Sequence, residues 1–283
     1  MDIPIEYLWL LPLGLLIGAF GTLIGAGGGF ILVPILLLVY PTDKTELITA
    51  ISLAVVFFNA LSGSFAYARM KRVDYQSGII FSIATIPGAI LGALSTAYVP
   101  RRVFDLIFGV LMILAAIILW RSAKEDHSAS PNLNLARAPK KVGSRLTERN
   151  LVDAEGVHYH YAFDLRLGIV LSIFVGYVSS LLGVGGGFIH VPALAHLLNF
   201  PVHIATATSH FVLAVMALTG TLVHVVQGVF LHGVRRTAVL AVGVLVGAQA
   251  GAWLSNRTGG KAIIRGLAIA LAFVGIRLIF SEF

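Results

Sequence analysis

Gly25-Ala26-Gly27-Gly28-Gly29-Phe30-Ile31-Leu32-Val33-Pro34 lies between two apolar runs, and Gly183-Val184-Gly185-Gly186-Gly187-Phe188-Ile189-His190-Val191-Pro192 repeats it 158 residues later. Ser52 then matches Ser209, Gly88 matches Gly243 and Gly92 matches Gly247, with small slips. The chain therefore reads as two repeated halves. Each copy places four glycines ahead of a Phe and a Pro. Glycine lets the backbone turn and be approached closely. In a membrane such a break leaves N–H groups without helical partners, which is tolerated where the segment is buried in protein or lines a polar cavity. The helix that follows begins with free N–H groups at the positive end of its dipole, a ready anion site. Discontinuous helices at matching places in two halves also point to a transporter's binding site. Close helix packing is the competing reading of the same glycines.

Composition sets the solvent. Of 283 residues, 58% are hydrophobic and 12% charged, against about 25% charged in a soluble domain. Such a chain cannot cover itself with polar surface, which excludes a soluble enzyme, a disordered scaffold and a nucleic-acid binder. The fold class expected is an all-α polytopic membrane protein, each half holding about four spanning helices, a Gly-broken first helix and a short half-helix. Apolar segments run over 7–25, 29–40, 46–68, 77–98, 103–121, 165–182, 187–200, 202–225, 233–255 and 261–280. Eight reach the roughly 20 residues a crossing needs. The segments 29–40 and 187–200 are half that length. Residues 1–121 form the first membrane repeat, 122–164 a polar loop and 165–283 the second repeat. Within the loop, 157–163 alternates β-formers and predicts a short hairpin. Asp2 and Glu6, with no Lys or Arg before the first apolar run, predict that this run is retained rather than cleaved.

The net charge of +7 orients helices rather than binding nucleic acid. An eight-crossing reading puts Arg69, Lys71, Arg72, Arg235, Arg236 and the central loop on one face, with 13 Lys and Arg against five. A reading with inverted halves exchanges Arg235 and Arg236 for Arg257 and Lys261 and leaves the count unchanged. Both predict a cytoplasmic loop. They differ on whether the short helices cross or re-enter.

No Asp or Glu falls in the middle of an apolar segment, and the chain has no cysteine. A cation carrier would need a buried carboxylate. An anion path lined by amides, hydroxyls and imidazoles fits better. The candidate substrate-binding residues are Gly27, Gly28, Gly29, Gly185, Gly186 and Gly187, with Ser52, Asn59, Ser209, His190, His210 and Gln249. Thr22, Ser62, Ser64, Ser179, Ser180, Thr206 and Thr208 are further polar neighbours. His190 stands where the first half has Leu32, and His210 where it has Leu53; an imidazole can carry a proton near neutral pH. No P-loop, His-Glu-x-x-His metal motif or nucleophile constellation is present, so neither catalysis, a metal nor a cofactor is expected.

The two Gly-x-Gly-Gly-Gly-Phe-Ile-x-Val-Pro motifs, with Ala207-Thr208-Ser209 after the second, resemble the TauE/SafE sulfite exporter family, also called the toluene-sulfonate uptake permeases. The resemblance spans essentially the whole chain. It implies a secondary transporter, an exporter, of small sulfur-containing anions such as sulfite or organosulfonates in a bacterial plasma (inner) membrane. The expected partners are that anion and the lipid bilayer. A coupling ion (H+ or Na+) and a homodimer stay open. The alternative is an anion-selective channel with the same helix-terminus site.

Overall fold

The structure is a computed structural model, and it describes residues 7–125, 146–255 and 261–280. The expected loop residues 126–145, and Arg257 of the charge count, lie outside them. The elements in order are α1 (Leu10–Ile24), α2 (Gly29–Val39), α3 (Thr45–Arg69), α4 (Tyr75–Ser95), α5 (Arg101–Glu125), β1 (Leu146–Val152), β2 (His158–Asp164), α6 (Leu165–Leu182), α7 (Gly187–Pro192), α8 (Val202–Val226), α9 (Val234–Ser255) and α10 (Lys261–Phe280). Five helices, α3, α4, α6, α8 and α9, are long and apolar enough to cross a bilayer. Their outward residues are large and apolar, for example Ile83, Leu91, Val170, Phe174 and Val246, as lipid contact demands. The protein is an all-α polytopic membrane protein with one extra-membrane hairpin.

The chain divides into two compact units. In the smaller, α5 and α10 run antiparallel: a Cβ on Gly109 would stand 2.8 Å from the Gly275 carbonyl and 2.7 Å from Ile279. The larger unit holds everything else. In it α1 and α9 run parallel through glycine contacts, Gly14 on Leu240 and Gly18 on Val244, and α4 and α6 do the same, Gly88 on Ile173 and Gly92 on Tyr177. By contrast α3 and α8 are antiparallel, Gly220 touching Leu53 and Gly63 touching His210.

The ends of the helices show where the short ones go. Arg236, at the start of α9, forms an ion pair with Asp43, just before α3. It also lies over the rings of Tyr7 and Tyr40. The entry to α1 and the exit from α2 therefore share the end where α3 begins, so α1 and α2 form a re-entrant hairpin. With 15 and 11 residues at about 1.5 Å each, neither spans about 30 Å of hydrocarbon. The segment α6–α7 re-enters from the other end. It starts at β2, and Leu194, Leu198 and Phe200 return to pack on Tyr161 and Phe163 of the same strand. The grouping of Arg235 and Arg236 with Arg69, Lys71 and Arg72 in the eight-crossing reading is not the one seen: the roughly 37 Å of α3 separates the Asp43–Arg236 pair from Arg69.

Local chemistry explains the boundaries. Gly25 and Gly183 close α1 and α6 in left-handed conformation. Asp74 and Asp164 cap α4 and α6, accepting from Ser77 N and from Arg166 N and Leu167 N. The expected helix over 187–200 is corrected in part. It is α-helical for six residues, and Ala193–Leu197 opens into a π turn. The wide turn sets Leu194 and Leu198 against the hairpin cluster. The β-hairpin itself is longer than its predicted strand, seven residues pairing antiparallel with seven from Leu146↔Asp164 to Val152↔His158. It is docked rather than free: Tyr161 and Phe163 are each 1% exposed.

Candidate functional site

The two glycine loops meet. A Cβ on Gly29 would stand 2.4 Å from the Val184 carbonyl oxygen, and one on Gly187 would stand 2.2 Å from that of Gly25. The rings of Phe30 and Phe188 stack at 6.2 Å. Gly27 and Gly185 both press on Val56, midway along α3. Backbone approach this close admits no side chain, which is the physical demand behind glycine at 29 and 187.

Around the loops the N–H groups of Gly28, Gly29 and Phe30 make no hydrogen bond, nor do those of Gly185, Gly186 and Phe188. These loops are buried. Buried amides are normally paired, so six unpaired ones at one place form a concentrated set of donors.

The first loop is clamped. Thr22 Oγ1 donates to Asn59 Oδ1 (3.0 Å), Asn59 Nδ2 to the Gly27 carbonyl (2.8 Å) and Tyr67 OH to the Thr22 carbonyl (2.8 Å). Ser52 Oγ donates to the Gly183 carbonyl (2.6 Å), holding the second loop from α3. Ser209, its counterpart, is fully buried with no partner for its hydroxyl. It lines a cavity with Gly186, Gly187, His190, Thr85 and Met216. His190 Nε2 lies 3.4 Å from Ser172 Oγ, and its ring meets Phe81 edge-on. His210 packs against Gly63 and edge-on to Tyr67 (5.5 Å).

The structure thus brings Gly27, Gly28, Gly29, Gly185, Gly186, Gly187, Ser52, Asn59, Ser209 and His190 to or beside the loops. His210 lies one layer out, near the carbonyls of Gly25 and Thr206. Gln249 is not brought there: it is exposed and bridges α9 to α3, donating to the carbonyl and hydroxyl of Ser62, both 2.8 Å.

Sequence reading missed Tyr67, Thr85 and Met216, which carry no motif and arrive from α3, α4 and α8. It also missed Asp74. This carboxylate is buried at the start of α4, where it accepts from Ser77 Oγ (2.5 Å) and Tyr161 OH (2.7 Å), with Arg149 at 3.6 Å. Its own N–H donates to Thr208 Oγ1 (3.0 Å). The hairpin is therefore anchored to the residue beside Ser209.

Comparison with known proteins agrees over the whole length. The pattern of the family described as Sulfite exporter TauE/SafE matches residues 10–278. A Bacillus subtilis protein, "Probable membrane transporter protein YunE", is 32% identical over 282 residues, covering 98% of each chain. A "Probable membrane transporter protein" of Methanocaldococcus jannaschii is 26% identical over 229 residues, 78% of this chain and 74% of its own. An Arabidopsis thaliana protein, "Sulfite exporter TauE/SafE family protein 3", is 28% identical over 165 residues, 54% of this chain and 33% of its own. No solved structure matches.

Proposed function

Because the chain belongs to the TauE/SafE sulfite exporter family, we propose that this membrane transporter is a secondary carrier, an exporter, of small sulfur-containing anions such as sulfite or organosulfonates, held where its glycine loops meet. The observation that carries the reading is the reciprocal contact of the loops, Gly29 on Val184 and Gly187 on Gly25, at the tips of hairpins entering from opposite ends. A ligand at that contact faces one side or the other according to which hairpin gives way, which is the geometric requirement of alternating access. The antiparallel run of α3 and α8 supports inverted repeats.

The chemistry suits an anion. The unpaired N–H groups are donors, and the N-terminus of α2 adds roughly half a positive charge. No Lys or Arg lines the cavity. Binding of that moderate strength also permits release. The hairpin end, with Arg69, Lys71, Arg72, Arg149 and Arg166, faces the cytoplasm of a bacterial inner membrane by the positive-inside rule.

Flux of sulfite in proteoliposomes of the purified protein tests the proposal. Saturable flux stimulated by sulfite on the opposite side is expected. Non-saturating flux without such stimulation would instead identify an anion channel.

A further inference from the structure

We propose that the anion site is one-sided: it is built on the second glycine loop, with the hydroxyls of Ser209 and Ser179 as its donors, and it prefers monoanions. This rests on the carrier reading above and assigns its site.

The warrant is a break in the symmetry of the two halves. In the first half Thr22, Asn59, Tyr67 and Ser52 all have hydrogen-bond partners. Their counterparts in the second half, 157 or 158 residues on, are Ser180, Met216, His224 and Ser209. Ser180 and Ser209 are each 0% exposed and have no partner for their hydroxyls. Ser179, at 1% exposure, is a further unpartnered hydroxyl, and it replaces Gly21. Protein interiors leave few such groups, and each calls for an explanation. Ser209 and Ser179 lie beside one loop.

Two of them border Gly186. Ser209 lines the cavity with Gly186, Gly187 and His190. Ser179 Oγ stands 2.6 Å from where a Cβ on Gly186 would be. The first half lacks these side chains: Gly21 stands where the second half has Ser179, and Leu32 where it has His190. One chain therefore offers one site. The cavity admits little more than a water-sized body as it stands. The second loop lacks the Thr22–Asn59–Gly27 clamp and is held from α3 by the Ser52 bond to the Gly183 carbonyl, so it is the less restrained of the two around a ligand.

Specificity follows from the walls. Hydroxyl and amide donors meet one oxyanion head, while Val212, Leu213 and Met216, on the same face of α8 as Ser209, give the cavity an apolar wall. No fixed cation is present to offset a second charge, and an uncompensated buried charge is costly. A sulfonate with a small apolar substituent fits; a dianion does not.

Isothermal titration of the full-length purified protein with methanesulfonate, sulfate and sulfite tests this. One methanesulfonate per chain is expected, with sulfate weaker by tenfold or more. Ser209→Ala and Ser179→Ala should each weaken methanesulfonate by about tenfold, the worth of one hydrogen bond to a charged group. Gln249→Ala, on the exposed face of α9 away from the loops, should leave affinity within about threefold. Two sites per chain, unchanged affinity in both serine variants, or sulfate binding as tightly as methanesulfonate would each overturn the one-sided site while leaving the carrier reading in place. Failure of the wild-type protein to bind any of the three anions would overturn the carrier reading itself.

Discussion

Gly186 and Gly28 occupy matching places in the two motifs, yet the residue-scale physics separates them. Gly186 has φ −47°, open to any residue, and a Cβ there meets the side chains of Ser179 and Val175. Gly28 sits at φ +84°, and a Cβ there meets the Ile17 carbonyl oxygen at 2.9 Å. Gly186→Ala is expected to weaken anion binding by tenfold or more with little loss of Tm. Gly28→Ala should cost about 2 kcal/mol or more of stability, from left-handed backbone and a neighbour that cannot yield. Thermal unfolding in detergent beside titration calorimetry checks both. Tyr161 offers a second test. Burial, then the negative Asp74 and the bond to it, raise its pKa above the ordinary value. A raised folded-state pKa contributes stability that is complete below the unfolded value near 10 and is lost as pH rises through the folded value. Tyr161 should therefore stay protonated in an absorbance titration until the hairpin releases. Tyr161→Phe should remove that step and cost about 1.5–3 kcal/mol, the range for a hydrogen bond to a charged partner.

At the scale of elements, the β-hairpin is the part whose attachment was least expected from a polar loop. Its turn is tied down by Arg72, whose Nε lies 3.3 Å from Asp153 Oδ2, with side-chain exposures of 7% and 0%. The Ala154 N–H also donates to the Met70 carbonyl (3.0 Å). Burial opposes ionisation of Asp153. The amides of Val157 and Glu155 and the Arg72 guanidinium outweigh it and hold its pKa below the ordinary carboxylate value. The sign is the usual acidic one: docking stability is complete above that ordinary value, about 3.8, and is lost as pH falls through the lowered one. Asp153→Asn should weaken this acid dependence and cost about 1–2 kcal/mol, since it removes one charged partner of Arg72 while Glu155 stays 3.2 Å from Nη2. The check is acid unfolding followed by near-ultraviolet circular dichroism. The glycine-broken helices were legible from Gly25–Pro34 and Gly183–Pro192, because glycine clusters and half-length runs are local signals. The π turn at Ala193–Leu197 was not, because Pro34 occupies the matching place in α2 and that helix stays α to Val39. What differs is the packing of Leu194 and Leu198 on a hairpin that only the second half possesses.

For the whole molecule, the arrangement makes a two-sided prediction. Cysteines introduced at Val157 and at Lys44, both exposed, lie at opposite ends of α3. An impermeant maleimide on intact cells should label the second and not the first, and inverted vesicles should reverse this. Labelling of both from one side would overturn the inverted arrangement. The membrane solvent, the helical class and the paired breaks were determined by the sequence alone, because composition and glycine clusters act locally. Basic residues could not separate parallel from inverted halves, since Arg235 and Arg236 trade places with an equal number. The Asp43–Arg236 pair, which joins residues 193 apart in the chain, sets Arg236 at the end where α3 begins. Tertiary structure likewise decided which candidates meet. Ser52 and Ser209 look equivalent in sequence, but Ser52 bonds the Gly183 carbonyl and Ser209 bonds nothing. Gln249, a candidate substrate-binding residue in the sequence, instead donates to Ser62 on an exposed face. Hydrogen-bond satisfaction is a property of three-dimensional neighbours, and a repeat in sequence does not carry it from one half to the other.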